Sequence, residues 1–121
     1  MAATGTVQVN GAITGLNSGQ KAFQASQALT NANGTFQSLV LANGVNTITV
    51  PTSPAPTGCL IQLPPTNAVA TTFKGIAADT GIVMNPSGFW VVQFNPAALP
   101  ASFVLFTASV HTAGATEISF F

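Results

Sequence analysis

The side chains most able to do chemistry are the carboxylates, and the chain has two of them, Asp79 and Glu117. Asp79 begins the triplet Asp79-Thr80-Gly81, the sequence that carries the catalytic aspartate in aspartic proteases. A chain of 121 residues could use this triplet only as a homodimer whose two aspartates share a proton. The triplet falls late in the chain and continues with Ile82, whereas such proteases carry it early and usually continue with Ala. We therefore expect Asp79 to form a side-chain-to-backbone turn with Gly81 at positive φ, and a homodimeric protease is the alternative.

The other reactive side chains occur once each. Cys59 is the single cysteine, which excludes an internal disulfide, and His111 is the single histidine. These two cannot supply the three or four ligands of a zinc site, and two separated carboxylates make a poor calcium site or glycosidase pair. We expect Cys59 to be a small buried apolar residue and His111 to be hydrogen-bonded or solvated. The sequence thus predicts no catalytic residue, no metal and no cofactor, and the protein is not expected to be an enzyme.

Aromatic residues are the candidates for a binding surface. Phe89 and Trp90 are adjacent, so in a strand they point to opposite faces, one toward the core and one toward a partner. The alternative is an aromatic platform that binds a sugar. Residues 118–121 predict a closing strand or an interface element. The candidate interface residues are therefore Phe89, Trp90, Phe120 and Phe121.

The composition limits the partners. Charged residues are 3% of the chain, against about 25% in an average protein, and Lys21 and Lys74 balance the two carboxylates to a net charge of zero. Two lysines without arginine cannot form the basic face that nucleic acid or an anionic membrane requires. Hydrophobic residues are 47%, so a packed core is expected, but no apolar run is long enough to span a membrane and no signal peptide is visible.

The pattern of apolar runs and turns predicts the fold class. Short runs rich in β-branched and aromatic residues alternate with turn residues every 8–12 positions or so. This pattern is typical of an all-β protein, here an antiparallel β-sandwich or a jelly-roll-like barrel, in one domain of residues 1–121. The predicted strands of the second half are residues 58–63, 68–74, 81–84, 89–94, 102–109 and 115–121.

The first half is expected to contain a hairpin or arm in residues 1–42, followed by the main sandwich in residues 43–121. Residues 6–10 predict a strand, Asn10-Gly11 a turn, and residues 13–16 a return strand. Residues 20–25 predict either a strand or a short helix that continues to residue 29. Asn33-Gly34 predicts a turn, and Asn43-Gly44 predicts a hairpin between residues 35–41 and 45–50. The proline-rich residues 51–56 predict a crossover that also marks a boundary between an N-terminal part and a C-terminal sheet.

The stretch from Asn43 to Phe121 resembles a β-rich module of small virion proteins in tailed bacteriophages. The motifs that carry the resemblance are residues 46–51, residues 58–61 before Pro64-Pro65, Lys74-Gly75-Ile76, residues 79–82 and Asn85-Pro86. Residues 1–42 add no matching motif. The resemblance implies a structural role as a capsid decoration or cement protein, a fibre or a tail component, without catalytic residues.

The sequence-based expectation is therefore a virion protein that decorates a capsid, forms a homo-oligomer such as a trimer, and bridges capsid subunits. A surface that is poor in charge favours coverage by copies of the chain and by neighbouring virion proteins. A tail or fibre component and a glycan-binding β-sandwich are the alternatives from the same residues.

Overall fold

The structure is a computed structural model that describes residues 6–16, 19–28, 35–53 and 55–121. The described part contains ten strands and a 3₁₀ helix, Pro96–Ala98. The first two strands are β1 (Thr6–Leu16) and β2 (Gly19–Ala28). The other eight are β3 (Thr35–Leu39), β4 (Gly44–Thr49), β5 (Gly58–Gln62), β6 (Thr71–Lys74), β7 (Ile82–Met84), β8 (Phe89–Gln93), β9 (Ser102–Thr107) and β10 (Thr116–Phe120).

Strands β3 to β10 form two four-stranded antiparallel sheets. Sheet I has the order β3-β10-β5-β8, and sheet II has the order β4-β9-β6-β7. The pairings β3 with β10, β4 with β9, β5 with β8 and β6 with β7 are nested, as in one long hairpin whose tip joins β6 to β7. Two further pairings, β5 with β10 and β6 with β9, roll this hairpin into two sheets. Eight antiparallel strands with this connectivity make a jelly roll, so the predicted all-β fold class is confirmed.

The core lies between the two sheets because apolar residues alternate with polar ones along the strands. In β10, for example, Thr116, Ile118 and Phe120 are buried and Glu117 is exposed. Stacking of Phe73 on β6 with Trp90 on β8 joins sheet II to sheet I, with ring centroids 5.9 Å apart. The buried apolar cluster contains Leu41, Ile48, Val50, Cys59, Ile61, Leu63, Met84, Phe103, Leu105, Ile118 and Phe120.

The predicted strands of the second half are confirmed, and each is one to three residues shorter than the predicted run. The link at residues 51–56 carries the chain from β4 in sheet II to β5 in sheet I, as predicted for a crossover. The link does not separate two structural units, since β4 pairs with β9 and β3 pairs with β10. The sandwich therefore begins at β3, within the residues that the sequence assigned to the arm.

One predicted turn and one predicted hairpin are wrong. The turn at Asn10-Gly11 is absent because β1 runs through it, with Asn10 opposite Gln24 and Gly11 opposite Phe23. Continuing the strand keeps the ladder of backbone hydrogen bonds with β2, which a turn would interrupt. The hairpin at Asn43-Gly44 is also wrong, because β3 and β4 belong to different sheets.

Three further predictions concern the residues before β3. Residues 20–25 lie in β2, so the strand is confirmed and the helix is wrong. The Asn33-Gly34 turn lies outside the described residues. Strands β1 and β2 form a two-stranded antiparallel sheet of their own, and the return strand predicted at residues 13–16 is wrong because these residues continue β1.

Candidate functional site

Asp79 lies in the connection between β6 and β7, the tip of the rolled hairpin. Its Oδ2 accepts a hydrogen bond from the backbone N–H of Ile76 at 2.9 Å, and its own N–H donates to the Ile76 carbonyl at 3.1 Å. Gly81 has φ +75°. The predicted turn is confirmed, since the carboxylate closes the loop onto its own backbone.

The side chains that the structure describes include three of the four formal charges, Lys74, Asp79 and Glu117. Lys74, which precedes the Asp79 turn, donates to the Ala77 carbonyl at 3.4 Å and its Nζ lies 4.7 Å from the centroid of the Phe106 ring. Lys74 and Asp79 are thus held at one end of sheet II by different partners. Glu117 is exposed on β10 in sheet I. Asp79 lies in the loop between two strands of sheet II and Glu117 lies on a strand of sheet I, so the fold gives the two carboxylates no shared element that would make the pair of acid–base catalysis.

His111 lies in the connection between β9 and β10 and is buried, with 1% of its surface exposed. A hydrogen bond of 3.0 Å joins its Nε2 to the hydroxyl of Thr71, and its backbone N–H donates to the Leu41 carbonyl at 2.9 Å. Among the described residues, none is a hydrogen-bond partner of its Nδ1. Burial lowers the pKa of His111 below the usual value of 6.5, because the charged ring would lose its hydration. The expectation of a hydrogen-bonded histidine is confirmed, and the environment favours the neutral ring.

Cys59 is fully buried on β5, as the sequence predicted. Burial raises the pKa of its thiol to about 12, so the thiolate that would act as a nucleophile or metal ligand is disfavoured. Among the described residues, no group of three or more His, Cys, Asp or Glu side chains could hold a metal ion.

The two aromatic residues of β8 point to opposite faces of the strand, one toward the core and one toward solvent. Trp90 is half-buried and packs against the core, where it stacks on Phe73. Phe89 is 57% exposed. The alternation of a strand therefore gives one core residue and one surface residue, as predicted, and a sugar platform on this strand would have to use Phe89.

The C-terminal aromatic residues contribute to the core instead of a surface. Phe120 and Phe121 are each 2% exposed. The Phe121 carbonyl accepts hydrogen bonds from the Thr57 and Gly58 N–H groups, and the Phe121 N–H donates to the Gly58 carbonyl at 3.0 Å. Of the four candidate interface residues, Phe120 and Phe121 thus have almost no exposed area for a partner to contact, because their side chains face the core.

A shallow groove of about 410 Å³ lies at one end of the sandwich. Its polar lining includes Glu117 and Gln62, and its apolar lining includes Phe89 and the Pro64-Pro65 pair. Gln62 lies between the other two, since the register places it opposite Glu117 on β10 and opposite Phe89 on β8. This end of sheet I therefore offers one exposed ring beside one carboxylate and one amide.

The edge strands are the largest feature that sequence reasoning missed. The four strands at the edges of the sheets are β3, β8, β4 and β7, and none of them contains a charged residue. Each instead has an exposed large apolar side chain: Phe36 (59%), Phe89 (57%), Val45 (51%) and, on β7, Ile82 (59%) and Val83 (67%). The apolar residues were visible in the sequence, but which strands are edges depends on long-range pairing.

Two asparagines with structural roles were also missed. Asn46 on β4 accepts a hydrogen bond from the Ala42 N–H at 2.9 Å, and its amide donates to the carbonyls of Ala42 and Leu105. Asn67 is 5% exposed, and its amide donates to the carbonyls of Val69 and Pro86. Asparagine beside a turn is too common to identify such contacts from sequence.

Comparisons with known proteins do not identify the chain. No protein-family model, no curated protein and no solved structure matches it. Within the described residues, no helix is long and apolar enough to cross a membrane. The functional interpretation rests on the residues and the geometry described above.

Proposed function

We propose that the chain is a structural protein of a bacteriophage virion, which decorates the capsid as a homo-oligomer and bridges neighbouring capsid subunits. Its contribution to the particle is mechanical, through many identical contacts that are mostly apolar and amide-rich. The proposal assigns no catalytic residue, metal or cofactor.

The observation that carries the proposal is the exposed apolar character of all four sandwich edges. Soluble proteins usually protect an edge strand with a charged side chain, a proline or a bulge, because an unprotected edge pairs with other chains. Here β3, β4, β7 and β8 have exposed Phe, Val or Ile side chains and no charge. Neighbouring chains that covered these edges would remove apolar area from water, at roughly 25 cal/mol per Å².

Two weaker arguments favour the virion in particular. The jelly roll is an architecture of viral capsid domains, although it also occurs in lectins and cupins, so the fold alone does not decide the function. The resemblance of residues 43–121 to a β-rich virion module rests on turn and strand residues between β4 and the loop that follows β7. Both arguments favour a component of a particle that is built from many copies of the same chains.

The test is to locate the chain in native particles and then to restore it. Purified protein is added to capsid shells that lack it, and binding is measured by co-sedimentation and by electron cryo-microscopy of the decorated shells. The proposal predicts saturable binding at a fixed number of copies per shell and a higher temperature of shell disruption. A protein that is absent from particles, or that stays monomeric and does not bind shells, would contradict it.

A tail or fibre component is the first alternative, and the same micrographs distinguish it by position. A glycan-binding sandwich is the second alternative, and the groove beside Phe89 is the observation in its favour. A glycan array with the wild-type protein and with Phe89→Ala tests it, since loss of a specific signal in the variant is expected if the ring binds a sugar.

A further inference from the structure

The groove beside Phe89 aligns one aromatic ring, one amide and one carboxylate in a single row. The register places Gln62 on β5 between Phe89 on β8 and Glu117 on β10, and all three residues are exposed. Residues directly opposite each other share a face of the sheet, and neighbouring strands are about 4.8 Å apart. A group bound above Gln62 would therefore lie about one strand spacing from the ring and from the carboxylate.

The Glu117 carboxylate is the one charged group among the residues that line the groove. No hydrogen bond or ion pair joins this carboxylate to any residue that the structure describes. Asp79, by contrast, accepts a hydrogen bond from the backbone of its own turn. An exposed carboxylate beside the face of an exposed ring attracts a cation, because both carry negative potential.

Sheet II already contains a contact between a cation and a ring. The Nζ atom of Lys74 on β6 lies 4.7 Å from the centroid of the Phe106 ring on β9, and Phe106 is half-buried. Phe89 is 57% exposed, and no described cation lies over its ring. Since Lys74 is the only described cation and is held at sheet II, none of the described residues supplies a cation to the groove.

The walls of the groove are three loops that contact one another. The Leu63 N–H, at the start of the β5–β6 loop, donates to the carbonyl of Gly88 in the β7–β8 loop at 3.0 Å. A Cβ atom at Gly114, in the β9–β10 loop, would lie 3.9 Å from the Cβ atom of Pro64. These contacts preform the groove, which lowers the entropy cost of binding. The apolar walls suit the methylene groups of a long cationic side chain.

We infer that the groove binds an arginine side chain of a different protein, with the guanidinium between the Phe89 ring and the Glu117 carboxylate. A guanidinium has five N–H donors and is more weakly hydrated than an ammonium, so it can contact a ring and still donate to a carboxylate. A neutral sugar would leave the carboxylate without a counter-charge. The chain contains no arginine, so a second copy cannot supply this group. That the partner is a virion protein rests on the proposed function, whereas binding of arginine does not.

Titration of the full-length protein with small probes tests the inference. The probes are a capped tripeptide with arginine between two glycines, the same peptide with neutral citrulline in place of arginine, and maltotriose as a neutral sugar. Chemical shifts of backbone amides, measured by NMR, give the dissociation constants and locate the site. The arginine peptide is expected to shift signals at the groove and to bind at least about five-fold more tightly than the citrulline peptide. Its binding is expected to weaken as salt is added.

Variants at the two ends of the row should weaken arginine binding. Glu117→Gln removes the charge and Phe89→Leu removes the ring, and each is expected to raise the dissociation constant of the arginine peptide about five-fold. The matched controls lie outside the groove. Asp79→Asn removes a charge but keeps an oxygen that can accept from the Ile76 N–H, and Phe36→Leu removes a ring that is 59% exposed. Both controls are expected to leave the dissociation constant unchanged.

Three results would overturn the inference: equal binding of the arginine and citrulline peptides, an unchanged dissociation constant in a folded Glu117→Gln protein, or binding of maltotriose alone. The third result would favour the glycan-binding alternative. The dispersion of the NMR spectrum shows whether each variant is folded. A protein that binds the arginine peptide but not capsid shells would contradict the proposed function and leave the arginine site standing.

Discussion

At the scale of single residues, the chemistry of this chain is mostly inside it. Cys59 and His111, the residues that sequence reasoning examines first for nucleophilic or metal chemistry, are both buried. Asp79 is engaged by the backbone of its own turn. Cys59, His111 and Asp79 thus have contacts within the fold, whereas several large apolar side chains, such as Phe36 and Phe89, are exposed.

His111 predicts a pH dependence of stability. Its pKa is lowered in the folded state, so between that value and about 6.5 the unfolded chain binds more protons, and the free energy of unfolding rises with pH. The contribution is complete above about pH 6.5 and is lost as the pH falls toward the folded pKa. Urea unfolding at a series of pH values should show this slope, at most about 1.4 kcal/mol per pH unit. The variant His111→Gln should show a flatter profile, and equal slopes in the two proteins would contradict the prediction.

Replacement of Asn46 is expected to lower the free energy of unfolding more than is usual for a half-buried polar residue. Its side chain holds the residues before β4 and also reaches the Leu105 carbonyl on β9. Asn46→Ala should lower the free energy of unfolding by about 2–3 kcal/mol, because several backbone groups lose a partner. Thr47→Ala, the exposed neighbour, is the control and should cost less than about 1 kcal/mol. Similar losses in both variants, measured by urea unfolding, would contradict the assigned role.

At the scale of elements, the loop between β6 and β7 requires a glycine at position 81 for two reasons, its backbone angle and the lack of space for a Cβ atom. Gly81 has φ +75°, and a Cβ there would lie 2.5 Å from the Phe73 carbonyl oxygen. Gly44 has φ +94° before β4, but nothing lies within 4 Å of its Cβ position. Gly44→Ala should therefore cost only backbone strain, about 1–3 kcal/mol, and Gly81→Ala should cost more. Thermal unfolding of the pair measures the difference, and a Gly81→Ala protein as stable as Gly44→Ala would contradict it.

The edge strand β7 predicts that charge can be added without loss of stability. Val83 is 67% exposed, so Val83→Lys should change the melting temperature little while it reduces aggregation, since charge blocks edge-to-edge pairing. Met84, the next residue, is 2% exposed, and Met84→Lys should destabilise the fold by about 4 kcal/mol or more through a buried unpaired charge. Light scattering and thermal unfolding distinguish the two. Unchanged aggregation of Val83→Lys would argue that β7 is not a contact edge.

The sequence predicted the elements better than their pairing. Apolar alternation located β5 to β10, and turn chemistry located the loop at Asp79-Thr80-Gly81, because both signals are local. The Asn43-Gly44 pair also bends the chain, with Gly44 at positive φ, but the bend sends β3 and β4 into different sheets. Partners such as β3 with β10 are far apart in sequence, so the edges, the buried Phe121 and the groove beside Phe89 follow from tertiary pairing that no local pattern contains.

At the scale of the whole molecule, charge scarcity and exposed apolar edges support the same proposal. A chain of 12.2 kDa with four charged side chains has little electrostatic repulsion to keep it apart from its copies. Lys74 and Asp79 lie at the β6–β7 end of sheet II, and Glu117 is exposed on β10 of sheet I. The molecule is thus best interpreted as a unit of an assembly.

Self-association in solution is the central claim, and sedimentation velocity of the purified full-length protein at several concentrations tests it most directly. The account predicts an oligomer whose mass is two or more times 12.2 kDa. The oligomer should persist at high salt, because apolar contacts are little affected by screening. A species of 12.2 kDa at every concentration would contradict the account.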